Sequence, residues 1–145
     1  MGSYDRELKC LDVALLIKPE YAGAWFNRGV ALGQLGKQEE ALKSFTEAVR
    51  INPENAHVWG NKGVSLDKLG RHEEALRCYD EALKIDPNYA RAWVNKGITL
   101  SEMGMYKEEA ECYDEALKID SKHIDAWVNK GVSLGKIGRY DESLS

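Results

Sequence analysis

Proline, phenylalanine and cysteine are all scarce in this chain, with three, two and three residues among 145. So few prolines leave room for uninterrupted helices, because an interior proline removes a hydrogen bond and breaks the helix. Long apolar runs are missing too. Nothing approaches the roughly 18 to 20 consecutive apolar residues of a membrane-crossing helix, and no signal-peptide pattern opens the chain, so no membrane partner is expected. Positive charge is not in excess: 20 Lys and Arg face 24 Asp and Glu, a net charge of −4. Phosphate binding needs a basic surface, so nucleic acid is not the expected partner. No glycine-rich phosphate loop follows a strand, and no His or Cys cluster has metal-ligand spacing. His57, His72 and His123 fall at unrelated places. The chain is therefore expected to be no enzyme and to need no catalytic residue, metal or cofactor. Cys10, Cys78 and Cys112 are odd in number, and the first interval between them is twice the second. They read as one repeat position filled three times, each a solvated or semi-buried thiol. Helices of successive units lie about 10 Å apart, too far for a disulfide. A reducing, cytoplasmic setting fits best.

What the chain does contain is a lattice. Ala92-Trp93-Val94-Asn95-Lys96-Gly97 returns further on as Ala126-Trp127-Val128-Asn129-Lys130-Gly131. Looser copies stand at Trp25-Phe26-Asn27-Arg28-Gly29 and Trp59-Gly60-Asn61-Lys62-Gly63, separated by the same interval. All four tryptophans fall on this spacing, each with an asparagine two places on. Evenly spaced tryptophans are the mark of a repeat array.

Apolar residues at helical spacing predict helices over 4–17, 22–35, 38–51, 56–69, 71–85, 90–103, 106–119 and 124–137. Gly36, Gly70, Gly104 and Gly138 mark tight turns between paired helices, and Pro19, Pro53 and Pro87 close helices. The implied organisation is a single array over 1–145. Residues 4–21 form the second helix of an incomplete repeat, and 22–55, 56–89 and 90–123 are full repeats. Residues 124–145 give a first helix and the start of its partner. Gly29, Gly63, Gly97 and Gly131 sit mid-helix, where glycine costs about 1 kcal/mol against alanine. A helix backbone crossing close by would explain them. Ala41, Ala75, Ala48, Ala82 and Ala116 supply facing small positions, Phe45, Tyr79 and Tyr113 fill the wider gaps, and the tryptophans are read as core.

Trp, Gly four on, then Ala, an aromatic, Ala and Pro at fixed offsets within each repeat make up a pattern that resembles the tetratricopeptide-repeat family. Residues 22–55 hold Trp25, Gly29, Ala41, Phe45, Ala48 and Pro53 in place; residues 56–89 hold Trp59, Gly63, Ala75, Tyr79, Ala82 and Pro87. The resemblance implies an all-α fold: antiparallel helix pairs stacked into a right-handed superhelical solenoid, first helices lining the concave side. It also implies a protein- or peptide-binding scaffold. Repeat 90–123 departs from the pattern, with Glu109 where the small alanine belongs and Ser121 for proline. A buried unpaired carboxylate costs several kcal/mol, so Glu109 is expected to reach water or displace its helix. In the first segment, Glu7 and Leu11 replace the alanine and the aromatic.

In the family, certain first-helix positions look into the groove. Here they bring Phe26, Gly60, Val94 and Val128; Val30, Val64, Ile98 and Val132; and, without exception, Asn27, Asn61, Asn95 and Asn129. Asparagine is a mediocre helix former, and its amide offers a donor and an acceptor that match one peptide unit of an extended ligand. The expected site is this asparagine ladder with its apolar stripe, together with the more variable His57 and Arg91. Asp125, Asp67, Ser101, Gln34, Lys68, Glu102 and Lys136 are further variable groove positions. The competing reading has the asparagines bonding within the array and the stripe packing between first helices. The clamp that some family members use for a C-terminal carboxylate needs cations at several groove positions, and only Arg91 would serve. Arg28, Lys62, Lys96 and Lys130 occupy a usually apolar position, stems packed and charges reaching water. Three alternatives stand beside peptide binding: head-to-tail self-association through exposed terminal helices, a non-catalytic adaptor part of a larger enzyme, and RNA binding as in pentatricopeptide arrays, which the acidic charge disfavours.

Overall fold

A computed structural model describes residues 2–144, without the side chains of Tyr140, Ser143 and Leu144. Among the described residues there are eight helices and no strand. The chain divides into two compact units, Met1–Ile85 and Asp86–Ser145. The first contains α1 (Ser3–Ile17), α2 (Ala22–Gln34), α3 (Gln38–Ile51), α4 (Ala56–Lys68) and α5 (His72–Ile85). The second contains α6 (Ala90–Glu102), α7 (Tyr106–Ile119) and α8 (Ile124–Leu144).

Each helix pair is closed by the same local chemistry. Gly36, Gly70 and Gly104 take φ of 76°, 75° and 76°, a left-handed conformation open to glycine at little cost. The residue after each glycine sends its amide back to a leucine carbonyl: Lys37 to Leu32, Arg71 to Leu66 and Met105 to Leu100, each at 2.9 Å. Orphan carbonyls at the helix end are thereby satisfied as the chain reverses. The exits from the second helices are equally uniform. Asn52, Asp86 and Asp120 accept, through Oδ1, the amide two residues on, at 3.2, 3.0 and 3.0 Å. These side-chain turns fix the bend. Asp120 makes one before Ser121 as Asp86 does before Pro87, so loss of proline there leaves the bend intact.

Three of the four mid-helix glycines face rings, not a crossing backbone as expected. A Cβ placed on Gly29, Gly63 or Gly97 would stand 2.5, 2.6 or 2.6 Å from the ring of Phe45, Tyr79 or Tyr113. The aromatic of each second helix thus lies against its first helix. In the first unit the core runs through Leu32, Ala41, Phe45, Ala48 and Val58, then Leu66, Ala75 and Tyr79. In the second it gathers Val94, Tyr113, Ala116 and Ala126.

Two further expectations fail. The turn at Gly138 is absent, because α8 continues through it to Leu144. A reversal is stable only when the returning helix covers the first one. Glu109 does not reach water; it is 2% exposed, placed as deeply as Ala41 and Ala75. Its Oε1 accepts a hydrogen bond from the Tyr113 hydroxyl at 3.1 Å, while Oε2 has no partner. Burial, and then the neighbouring Glu109 carboxylate, pushes the Tyr113 phenol well above its ordinary range.

Candidate functional site

The tryptophans, read as core, are supports: Trp25, Trp59 and Trp93 are half-buried and pack against the core clusters, while Trp127 is 53% exposed. Each indole N–H donates to a carbonyl six residues earlier: Trp25 to Pro19 and Trp59 to Pro53 at 2.8 Å, Trp93 to Pro87 at 3.2 Å, Trp127 to Ser121 at 2.9 Å. A cation three residues on stands over each ring. Arg28 lies 5.9 Å from the Trp25 centroid, and Lys62, Lys96 and Lys130 lie 5.4, 5.6 and 5.5 Å from theirs. Arg28 also pairs with Asp12 at 2.9 Å, and Lys130 with Asp114 at 2.6 Å. The cations at this position therefore bind to their surroundings rather than merely reach water. Arg28 and Lys130 each tie a first helix to the second helix before it. Clefts open over these rings, of about 670 Å³ at Trp25 and Arg28 and about 520 Å³ at Trp93 and Lys96. None of the asparagines lines them.

With tryptophan and glycine held in this way, the asparagine between them points elsewhere. In the first unit α2 packs on α4, so Asn27 and Asn61 stand on neighbouring first helices; in the second, α6 packs on α8 and carries Asn95 and Asn129 in the same relation. Asn27 is exposed and the other three are half-buried. Asn61 donates through Nδ2 to the His57 carbonyl of its own helix at 2.8 Å. Among the described residues, the side chains of Asn27, Asn95 and Asn129 make no hydrogen bond within the protein.

The apolar stripe divides. Val94 is 6% exposed and packs with Tyr113, Ala116 and Ala126, so it is core, and the groove role expected of it is left with almost no surface. Phe26 tilts against Phe45 with ring centroids 5.9 Å apart, and Val30 and Val64 lean on the same core clusters. Ile98, Val128 and Val132 are open to solvent, as are His57 and Arg91. Some variable positions have internal work that spacing did not reveal. Asp67 accepts from the Tyr79 hydroxyl at 2.6 Å and lies 3.0 Å from His72 Nδ1. Lys136 donates to Ser101 Oγ at 2.6 Å.

The thiols offer little chemistry. Cys10 is exposed, but Cys78 and Cys112 are buried, deeper than the solvated or semi-buried state expected. Burial pushes the Cys78 thiol up to about 11, which keeps it protonated and weakly nucleophilic at neutral pH. Among the described residues no group of three His, Cys, Asp or Glu is placed to hold a metal ion, and no helix is long and apolar enough to cross a membrane.

Two profiles described as "Tetratricopeptide repeat" match the chain, one at residues 22–55 and 56–89, the other at 78–111 and 112–145. The chain belongs to the tetratricopeptide-repeat family. Solved structures agree on the fold. The crystal structure of MamA protein superposes with a TM-score of 0.89 at 20% identity, over 99% of this chain and 78% of that one. The TPR domain of Sgt2 from Aspergillus fumigatus gives 0.81 at 21% identity, over 86% and 83%. The first TPR of Spaghetti (RPAP3), bound to the HSP90 peptide SRMEEVD, gives 0.79 at 17% identity, over 81% and 93%. No curated protein sequence matches.

Proposed function

We propose that this tetratricopeptide array is a non-catalytic protein-interaction scaffold, and that its first helices hold an extended segment of a partner protein. The observation that carries this reading is the spare hydrogen-bonding capacity of the asparagines. Among the described residues, three of the four side-chain amides make no hydrogen bond, although each sits in a helix where asparagine is unfavourable. Each amide can meet one peptide unit with a donor and an acceptor. Exposed Ile98, Val128 and Val132 offer apolar contact beside them, while His57 and Arg91 bias the choice of sequence. A segment held by its backbone in this way need not end in a carboxylate. Capture from a peptide library tests it. Changing Asn95 and Asn129 together to alanine removes two hydrogen bonds worth about 1 kcal/mol each, so affinity falls by roughly thirtyfold. Undiminished capture by the folded double variant would reject the ladder.

A specific observation also favours a second reading, head-to-tail association of the chain. Gly131 on α8 has open space where Gly29, Gly63 and Gly97 meet aromatic rings. On α1, Leu11 holds the ring's place in the repeat register. A second copy's α1 would bring Leu11 over Gly131, a heterologous contact that can propagate. Light scattering over a concentration series reads this out as growing mass. A constant monomer mass at high concentration excludes it.

A further inference from the structure

Three of the four second helices carry an ion pair one turn apart on their outer surface. These are Glu47–Arg50 on α3, Glu81–Lys84 on α5 and Glu115–Lys118 on α7, at 3.0, 3.1 and 2.8 Å. On α1 the same two register positions, one repeat before Glu47 and Arg50, are Val13 and Leu16. They are 54% and 83% exposed. A missing neighbour does not account for this. Helix α3 is packed by both α2 and α4, yet its Glu47 and Arg50 side chains remain 38% and 53% exposed. These positions face outward on a fully flanked helix, so another helix beside α1 would leave Val13 and Leu16 in water. Where the sister helices place charge, α1 places two branched aliphatics, and apolar surface framed by polar residues marks contact sites.

The frame has a sign. Arg6 and Lys9 precede Val13 and Leu16 on the same helix face, at spacings of three and four residues. Two of the acids nearby are neutralised by other cations: Asp12 by Arg28 and Glu20 by Arg50, both at 2.9 Å. Glu7 falls on another side of the helix, in line with Leu11 and Ala14. Among the described residues neither Arg6 nor Lys9 has an ion-pair partner, so the uncompensated charge along the strip is positive.

We infer that the outer face of α1, formed by Arg6, Lys9, Val13 and Leu16, docks an acidic amphipathic helix of a partner protein, at a site separate from the asparagines. The strip follows i, i+3, i+7 and i+10 along one straight helix, the pattern that a second helix meets with its own ridge. An extended segment would find no unpaired backbone here. A lipid surface suits it less, because an anionic membrane repels a chain of net charge −4.

The test uses the whole chain as bait for a displayed library of helical peptides. Its key variant, Val13→Glu with Leu16→Lys, copies the ion pair of α3, α5 and α7 and leaves buried Leu15 in place, so the fold should persist. The wild type should enrich peptides with Leu, Ile or Phe at helical spacing beside Glu or Asp. The double variant should bind them at least tenfold more weakly, as should Arg6→Glu with Lys9→Glu, while Asn95→Ala with Asn129→Ala binds them unchanged. Enrichment of basic peptides, equal binding by the double variant, or no acidic-apolar enrichment would overturn the inference. So would a dimer in sedimentation that the double variant dissolves, which would assign the strip to a second copy. Co-sedimentation with phosphatidylserine vesicles that depends on Val13 and Leu16 would assign it to lipid instead.

Discussion

On α4, Leu66 is 2% exposed and Gly63 lies beneath the Tyr79 ring; at the matching places on α8, Leu134 is 52% exposed and Gly131 has nothing within 4 Å of where a Cβ would stand. Gly70 ends α4 with φ of 75°, while Gly138 in the same register is an interior residue of α8. The two helices share one set of lattice residues and differ only in what covers them. Helix α5, from the same repeat, lies on α4, whereas among the described residues α8 is packed only by α6 and α7 of the preceding repeat. The pattern therefore encodes a pair: leucine, glycine and turn take their roles only when a second helix arrives. Most helical stability comes from burying an apolar face rather than from intrinsic propensity.

Matched substitutions sharpen this contrast, and the largest effect is at the leucines. Leu66→Ala should cost about 2–5 kcal/mol, the usual range for emptying a core position. Leu134→Ala should cost well under about 1 kcal/mol, since an exposed side chain loses little burial. Denaturant unfolding measures both, and equal losses would mean that α8 is covered in solution.

At the glycines the sign should reverse. Gly63→Ala drives a methyl into the Tyr79 ring, an overpacking cost of about 1–3 kcal/mol. Gly131→Ala meets open space and should gain up to about 1 kcal/mol from helix propensity. Thermal melts of the two variants should move in opposite directions.

Glu109 permits a comparison between repeats. Converting it and its partner together, Glu109→Ala with Tyr113→Phe, reproduces the Ala41 and Phe45 of α3 and removes an unsatisfied buried oxygen. That orphan group is worth about 1–3 kcal/mol, so the melting temperature should rise. A fall would mean that water or a shifted helix already satisfies the carboxylate.

The smallest contrast lies in the turns. Gly70→Ala forces a Cβ into a left-handed turn at about 1–2 kcal/mol, whereas Gly138→Ala in helix should be neutral or slightly stabilising. Circular dichroism melts resolve the difference.

The helices were legible because each carries its own spacing signal and its own stop, as at Gly36 with Lys37 and at Asn52 with Pro53. What misled was always a property of neighbours. Trp127 has the same local sequence as Trp93, but among the described residues α7 of the preceding repeat flanks it and no second helix of its own repeat does. Val94 occupies a nominal groove position, yet Ala126 of α8 packs against it and draws it into the core. Glu109 looked too polar to bury, but the Tyr113 hydroxyl in its own helix takes one oxygen and makes burial tolerable. Local charge was also deceptive: the lysines and arginine after each tryptophan read as solvated, and the fold sets them over the indoles. The asparagines were the reverse case. Their recurrence is plain in the sequence, and the spare capacity of three amides became visible only with the fold in hand.

The central claim is that these amides read a partner's backbone, and N-methyl scanning of a captured peptide probes it most directly. Methylating a peptide nitrogen that faces Asn95 should weaken binding to the wild-type chain, and the penalty should disappear in Asn95→Ala, a coupling of about 0.5–1.5 kcal/mol for one hydrogen bond. An identical penalty in both proteins at every methylated position would contradict the account.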